Sequence, residues 1–591
     1  MEVSMKKCVV LILLVFAITL ALNPNLTKKE TILIDKPLPQ TTNNIVTNPT
    51  KTNNPPLDNM PLVGRVECIG GTCYDWVNGP DATWLINDPA NGIHATWMWS
   101  NAEAMDERNM RYNFYDWSTR TWNWLSGTSY MQYGIPVFPH VMASVAGGAD
   151  LDPITKNFVI AGNYAPGGAF RPEIARDQAP GAGLFEYTEA AIGWRWPFIA
   201  VSQNQTIHCA DIDAASTDSL FYTKCQPWNT WSTPIHVCPP APDLMFPNQN
   251  IAASKTSNKV AIVWEESEPP TGQDRGYYRL STDNGATWGA PTQIPFPPSQ
   301  GFTPSFGVSS LFATFDHQDN LRIVFSVSET GRTIPCEIWH YCPSAAQPMN
   351  LVHHYDAETL NAAVGYNSVF ATRPSITRNS ATGYWYVAWE QFDSLNFEPL
   401  TSLARAEIMV AESRDNGLTW PNKTRITTAN TLSKRFPIVG GVQVTPSTTD
   451  KDTLLVMYMG DSIAGAFLQT QHRFCVNPMF VHRVPVPLDV AIEENPSPKV
   501  FYFTLDAFPN PFNSHTTIHY SLPVNNDINL TIYDVSGRVV NILVSGFNAP
   551  GEYSINWDGR TSSGEKVKAG VYFYTLKSSE KTITKKLIIT K

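Results

Sequence analysis

The chain has 591 residues, 43% of them hydrophobic and 12% aromatic, with 18 tryptophans, enough apolar mass for a large core and enough length for about three or four domains. Its formal net charge is -10 with only 16% charged residues, which excludes a basic phosphate-binding surface and so argues against nucleic acid as a partner. Prolines (46) and glycines (35) interrupt the chain too often for long amphipathic helices and suit many short strands.

The N-terminus reads as an export signal, residues 1–22. Lys6 and Lys7 precede the apolar run Cys8 to Leu22, and Thr19-Leu20-Ala21 offers a small-residue cleavage site. The run is short for a membrane span, and no second membrane segment follows, so no transmembrane domain is expected in the mature chain. Residues 23–62 are rich in Asn, Thr and Pro, with few apolar side chains, and read as a solvated linker that cannot bury enough surface to fold. Eight cysteines remain after the signal, an even set that suggests disulfides in an exported protein. Cys68/Cys73 and Cys336/Cys342 are close enough in sequence to pair locally; Cys209, Cys225, Cys238 and Cys475 leave several pairings open. With no C-x-x-C pair, no metal is expected.

Residues 63–490 repeat a pattern in which a Pro opens an apolar strand. The mark appears at Pro139 in Val137 to Ser144, at Pro197 in Arg195 to Ser202, and in Met245-Phe246-Pro247, Phe302-Thr303-Pro304, Thr372-Arg373-Pro374 and Arg435-Phe436-Pro437. Pro is tolerated at the first residue of a strand, where no ladder donor is needed. A polar turn and a stronger apolar strand follow, as in Lys259 to Glu265, Leu321 to Ser326, Tyr384 to Glu390 and Leu454 to Met459. The next strand runs into a sharp turn, Ser281-Thr282-Asp283-Asn284-Gly285-Ala286-Thr287-Trp288, which recurs as Ser413-Arg414-Asp415-Asn416-Gly417-Leu418-Thr419-Trp420. In S-x-D-N-G-x-T-W the Asp can bond backbone N–H groups across the bend, Asn-Gly tolerates positive φ, and Trp returns to cover the turn. Degenerate versions occur at Asp116 to Trp122 and Lys224 to Trp231.

These turns resemble the Asp-box of the bacterial-neuraminidase repeat, a motif of strand-turn-strand units in β-propellers. It is shared by sialidases, other glycosidases and non-catalytic receptors. The structural box residues are Ser281, Asp283, Gly285, Trp288, Ser413, Asp415, Gly417 and Trp420. The expected fold is therefore all-β: a β-propeller of seven blades, with six the alternative, followed by an Ig-like β-sandwich.

That sandwich occupies residues 500–591. Phe508-Pro509-Asn510-Pro511-Phe512-Asn513, Tyr533-Asp534-Val535-Ser536-Gly537-Arg538, Trp557-Asp558-Gly559 and Gly570-Val571-Tyr572-Phe573-Tyr574 follow one another with alternating apolar residues. This tail closely resembles the type A C-terminal sorting domain of the type IX secretion system. The resemblance implies export to the outer-membrane surface or the medium, with that machinery as a partner.

In a propeller the strand 3–4 turns, and so the Asp-boxes, mark one face. The starts of strand 1 and the ends of strand 2 lie on the other, around the channel mouth. That second face collects Arg195, Arg373 and Arg435 beside strand-opening prolines, Glu265, Glu390 and Asp461 at the ends of second strands, and Trp97 and Trp99 in the first blade. Arginine forks hold carboxylates bidentately and Trp faces stack on sugar rings. The same residues can equally form inter-blade ion pairs and core. The sialidase resemblance implies three substrate-binding arginines, a Tyr–Glu nucleophile pair and an acid/base Asp. Yet the chain offers only Phe170-Arg171-Pro172-Glu173 where such enzymes carry F-R-I-P, and no catalytic residue can be singled out. No P-loop, G-x-S-x-G or H-E-x-x-H occurs, and no cofactor is expected. The functional expectation is a secreted or cell-surface module binding glycan or protein, with a sialidase-like glycoside hydrolase acting on anionic sugars as the alternative.

Overall fold

The structure, a computed structural model, describes residues 63–590 except 76–82, 144–146, 191–192, 214–218, 239–248, 269–272, 308–310, 358–359, 367, 428, 446–450, 489–503, 523–525, 549–550 and 579–580. The expected export signal and linker lie outside the described residues, as does the mark at Met245-Phe246-Pro247. The chain divides into two compact units after Asp489. Among the described residues no helix is long and apolar enough to cross a membrane.

The first unit is a seven-bladed β-propeller. The first blade uses Leu85–Asp88, Gly92–Trp99, Asn109–Asp116 and Thr121–Trp122; the second uses Ala149–Leu151, Phe158–Tyr164, Arg171–Asp177 and Phe185–Glu189. The third runs Trp194–Val201, Ile207–Asp213, Leu220–Cys225 and Ile235–Cys238; the fourth runs Gln249–Ala253, Val260–Glu268, Gln273–Ser281 and Thr292–Gln293. In the fifth the innermost strand is split into Pro304–Phe306 and Phe312–Phe315, ahead of Leu321–Glu329, Cys336–Tyr341 and Met349–Tyr355. The sixth has Ala371–Arg378, Trp385–Phe397, Ala404–Ser413 and Asn422–Arg425.

Ring closure is shared between the two ends of the unit. The seventh blade takes Ser433–Gln443, Asp452–Asp461 and Asn477–Val486 from the end of the unit, and its outermost strand, Arg65–Thr72, from the beginning. Arg65 pairs with Arg483 and Thr72 with Asn477 across that seam. Each innermost strand touches the innermost strand of the next blade, and the first touches the seventh, so the circle is complete. Closure leaves no blade without neighbours, which is what stabilises a sheet too small to bury both faces alone. The second strands are buried on both sides: Leu454 to Asp461 are all inaccessible, as are Val260 to Trp264. They read as continuous apolar runs for that reason.

Two expectations are corrected. The segment around Pro139 does not open a blade. Ile135–Pro136 pair with Arg111 and Tyr112 of the first blade, and Val137 N–H donates to Met110 O, so its hydrogen bonds are spent on the preceding sheet. The second blade opens at Ala149 instead. None of the eight cysteines among the described residues is in a disulfide. Cys336 opens the strand Cys336–Tyr341 and Cys342 directly follows it, while Cys68 lies in Arg65–Thr72 and Cys73 directly follows that strand. At ~3.3 Å per residue such pairs are held well beyond the ~6 Å Cα separation a disulfide requires.

The second unit packs a sheet of Thr504–Phe508, Thr516–Leu522 and Gly551–Trp557 with one of Val539–Asn548, Asn526–Asp534, Gly570–Lys577 and Thr582–Ile589. Leu505, Ile518, Leu530, Ile532, Trp557, Leu576 and Leu587 form its core.

Candidate functional site

Three inner strands carry the same backbone device. Trp196, Arg373 and Phe436 each precede a proline and each have positive φ (58°, 54° and 59°). The ladder to the second strand skips at each, between Arg195 and Phe198, Thr372 and Ser375, and Arg435 and Ile438. Proline cannot donate to the ladder, and the extra residue is accommodated as a bulge that redirects the neighbouring side chains. Arg195 and Arg435 hold equivalent positions, one residue before the left-handed one; Arg373 is itself the left-handed residue.

At the junction of the sixth and seventh blades the bulges converge on one carboxylate. Arg373 Nη1 lies 2.5 Å from Glu390 Oε1, and Arg435 Nε lies 3.1 Å from Oε2. Phe436 N–H donates to Oε2 at 2.9 Å, and Ser368 Oγ accepts from both guanidinium groups at 3.0 and 3.2 Å. All three charged side chains are at most 3% exposed. Burial alone would raise the Glu390 pKa, but Arg435 and Arg373 outweigh it and hold the carboxyl below its ordinary value. Asp461, also fully buried, is pushed up to about 7 by burial and by Asp75, against the pull of His472 and Arg435.

At the junction of the second and third blades the same construction has a different partner. Trp196 N–H donates to Asn163 Oδ1 at 2.6 Å, the bond that Phe436 N–H makes to Glu390. Asn163 ends its blade's second strand, but it is neutral. Arg195 therefore finds no carboxylate there. Its guanidinium lies over Trp196 (4.4 Å) and Phe170 (5.9 Å) and donates no hydrogen bond to a described residue; its Nε is buried without a partner. Burial lowers its pKa, and the charge of Asp213 works the other way. Trp194, Arg195, Trp196 and Phe170 are all half-buried, and Trp194 stacks on Phe221 at 5.0 Å.

The same edge holds a carboxylate pair that the sequence reading missed. Glu173 and Glu189 are directly opposite on neighbouring strands. Glu189 pairs with Arg171 at 2.9 Å. Glu173 is buried and lies 2.8 Å from His140 Nε2, whose ring stacks on Tyr164 at 3.7 Å. Burial and then the Glu189 charge push the Glu173 carboxyl up to about 7, while burial lowers the His140 pKa. The contact has ion-pair geometry, but both shifts favour the neutral carboxylic acid donating to neutral imidazole. Phe170-Arg171-Pro172-Glu173 gave a partial signal for this place; the partners come from a distant connector and the adjacent strand.

The remaining sequence candidates are placed as follows. Trp97 is fully buried and donates to Gly71 O at 3.2 Å; its ring lies where a Cβ on Gly70 would be, so it is an inter-blade core residue rather than an exposed stacking surface. Trp99 donates to Met131 O at 3.2 Å beneath Arg111. Glu265 is buried within the strand Val260–Glu268 rather than at its end, and Glu390 likewise lies within Trp385–Phe397. The structure thus brings Arg373, Arg435 and Glu390 together, with Asp461 within electrostatic reach, and holds Arg195 on other partners.

The two Asp-box turns lie between third and fourth strands of the fourth and sixth blades. Asp283 Oδ1 accepts from Thr287 N–H (2.8 Å) and Ser281 Oγ (2.8 Å), and Ser281 Oγ accepts from Gly285 N–H (2.9 Å). Ser413, Asp415, Gly417 and Thr419 repeat these bonds at 2.8–2.9 Å. The boxes also tie blades together. Asn284 Oδ1 accepts from Ser202 Oγ at 2.8 Å, and Asn416 Oδ1 accepts from Arg322 at 3.0 Å, each in the preceding blade. Trp288 meets Tyr222 edge-on at 4.8 Å, and Trp420 meets His340 at 5.7 Å.

The fold defines a β-propeller followed in the chain by a C-terminal β domain. Residues 506–590 match the family described as the secretion system C-terminal sorting domain; such a domain implies secretion to the cell surface or the medium. No curated protein matches the chain in sequence. Among solved structures, an ulvan lyase of polysaccharide lyase family PL25 is similar at 10% identity, covering 69% of this chain and 100% of its own, with a TM-score of 0.44. An α-L-arabinanase from Penicillium chrysogenum is similar at 16% identity over 58% of this chain and 97% of its own, with a TM-score of 0.36. A Hadza microbial sialidase is similar at 10% identity over 54% of this chain and 73% of its own, with a TM-score of 0.24.

Proposed function

We propose that the propeller is a secreted or surface-attached binding module that takes an anionic glycan at the junction of its second and third blades. The observation that carries this reading is the state of Arg195: a guanidinium framed by Trp196 and Phe170, with no hydrogen bond to a described residue. A carboxylate or sulfate would supply the acceptors it lacks, and the half-buried aromatic rings beside it would cover a sugar face. Arg373 and Arg435 are poor candidates for a substrate clamp, because Glu390 already occupies the positions a substrate carboxylate would take. The test is binding to a panel of neutral and anionic oligosaccharides. Arg195→Ala is expected to weaken the anionic ligands by roughly 10–100-fold, the loss of a charge-assisted contact. Undiminished binding by that variant, or no binding to any member of the panel, overturns the reading.

A second reading, glycoside hydrolysis, is favoured by one observation: a carboxyl pushed up to about 7 at Glu173, directly across from Glu189. A carboxyl raised in this way beside a second carboxyl is the pairing that glycosidic bond cleavage uses. Fluorogenic glycosides, a sialoside among them, are the substrates to try. Turnover abolished by Glu173→Gln with the fold intact establishes it; no turnover across the panel removes it.

A further inference from the structure

Asp75, His472 and Cys475 are separated by almost the whole propeller sequence, yet one carboxylate oxygen, one imidazole nitrogen and the thiol lie within 4.8 Å of one another. Asp75 follows the strand Arg65–Thr72, which closes the ring; His472 and Cys475 belong to the connection between Asp452–Asp461 and Asn477–Val486 of the same blade. The cluster therefore stands on the seam where the two ends of the unit meet.

The hydrogen-bond chemistry of His472 is incomplete. Its Nδ1 is 2.7 Å from Arg473 O, and a carbonyl can only accept, so Nδ1 carries the proton. Nε2 lies 3.1 Å from Asp75 Oδ2 and makes no hydrogen bond of acceptable alignment. Asp75 Oδ2 itself accepts from Phe467 N–H at 2.5 Å. Nε2 is thus left in a side chain 2% exposed with no aligned partner. Beside this pair Asp461 is fully buried, with Oδ2 lacking any partner, and it is close enough for the charges of Asp75 and His472 to act on it. Arg435, whose charge acts on Asp461, is already engaged by Glu390.

We propose that this seam is a divalent-cation site of zinc type, with Asp75, His472 Nε2 and Cys475 Sγ as ligands and Asp461 as the fourth, directly or through a water. A thiolate, an imidazole and carboxylates suit Zn²⁺, and ligand bonds of about 2.0–2.3 Å place tetrahedral donors roughly 3–4 Å apart, the range of the Asp75–His472 separation. An outer hydrogen bond from the non-ligating ring nitrogen, here to Arg473 O, fixes the tautomer as metal-bound histidines require. The charges also balance. Arg373, Arg435 and Glu390 sum to one positive charge; a dication with two carboxylates and a thiolate sums to one negative charge. The role is structural: the ion would pin the closing strand's end to the seventh blade.

The test uses the protein carrying both units, purified without metal and titrated with Zn²⁺ and, separately, Co²⁺. The expected result is one Zn²⁺ per chain by elemental analysis, a higher Tm with metal, and a thiolate-to-cobalt charge-transfer band for the Co²⁺ form. Cys475→Ser should lose that band, and His472→Ala should weaken Zn²⁺ binding on the order of 100-fold. Should the variants fail to fold, the Co²⁺ spectrum of the unaltered protein still decides. Absence of stoichiometric Zn²⁺ with no cobalt–thiolate band overturns the proposal and leaves a His472–Asp75 ion pair. Zn²⁺ binding undiminished in both variants overturns it as well.

Discussion

The junction of the sixth and seventh blades and the junction of the second and third use one backbone solution for two ends. In both, the residue before a proline within the innermost strand takes positive φ, and its N–H is caught by a side chain of the second strand of the preceding blade. In the first case that side chain is Glu390, which also engages Arg435 and Arg373 and closes the junction into a buried ion network. In the second it is Asn163, which accepts the same N–H but leaves Arg195 to the aromatic rings around it. A change from carboxylate to carboxamide, on a side chain one methylene shorter, separates a structural arginine from one available to a ligand. Arginine position alone, the only thing a sequence displays, cannot distinguish the two.

The strongest way to break the comparison is to give the first junction the chemistry of the second. Glu390→Gln leaves two buried guanidinium groups sharing a neutral amide, and is expected to cost about 3–5 kcal/mol of unfolding free energy, read by urea denaturation. The pH dependence has a definite sign. Because the folded-state pKa of Glu390 lies below its ordinary 4.5, its contribution is present above that value and is lost as pH falls through the folded pKa. Below about pH 4.5 the unaltered protein should lose stability to protonation of this group, and the variant should show that part of the loss removed. A variant as stable as the parent at neutral pH means that the network contributes nothing, and the contrast between the junctions loses its energetic meaning.

A smaller effect separates the junctions closer to neutrality. Glu173 is shifted upward, to about 7 from 4.5. Between those two values the unfolded chain has lost the proton and the folded chain keeps it, so stability falls as pH rises through this window and then levels off. Glu173→Gln should flatten the decline, by about 1–3 kcal/mol across it, in thermal unfolding measured from about pH 4.5 to 7.5. A decline of unchanged slope in the variant means that Glu173 ionises normally, and it weakens the hydrolytic reading with it.

The legible parts of this molecule are those whose chemistry closes within a few residues. Ser281 and Asp283 bond to Gly285 and Thr287, so the motif contains its own partners. The second strands are legible because burial on both faces forces a continuous apolar run. The Pro139 mark misled because its hydrogen bonds go backward, to the first blade, and nothing in Val137 to Ser144 records which neighbour claims it. The seam strand Arg65–Thr72 pairs with residues more than four hundred positions away, and Asp75 meets His472 across the same gap. Trp97 and Trp99 occupy strand-end positions that a flat drawing of a blade leaves open to the channel mouth; the missing Cβ at Gly70 of the closing strand lets Trp97 fill that space. The candidate site was therefore located to a face but not to residues. Arg195 and Arg435 look alike until Asn163 and Glu390 are seen beside them.

The comparison is sharpened by running it in the other direction. Asn163→Asp keeps the acceptor for Trp196 N–H, now at 2.6 Å, and gives up the 3.3 Å donation from Nδ2 to Trp194 O. The new carboxylate supplies Arg195 with the partner that Arg435 has. Gain and loss are each about 1 kcal/mol and opposite in sign, so unfolding free energy should move by less than about 1 kcal/mol. Ligand affinity should not be spared, because an internal acid would compete with the anion for one guanidinium; a loss of about tenfold, some 1.4 kcal/mol, is expected for anionic glycans and little for neutral ones. Asn163→Leu is the control for shape, since it disrupts the N–H contact without adding charge. A double-mutant cycle of Asn163→Asp with Arg195→Ala then isolates the pair: if the acid acts by capturing Arg195, it should have no further effect once the arginine is gone. Equal losses in the Asp and Leu variants would instead assign the effect to the bulge geometry, and the difference between the two junctions would be one of backbone support rather than of charge.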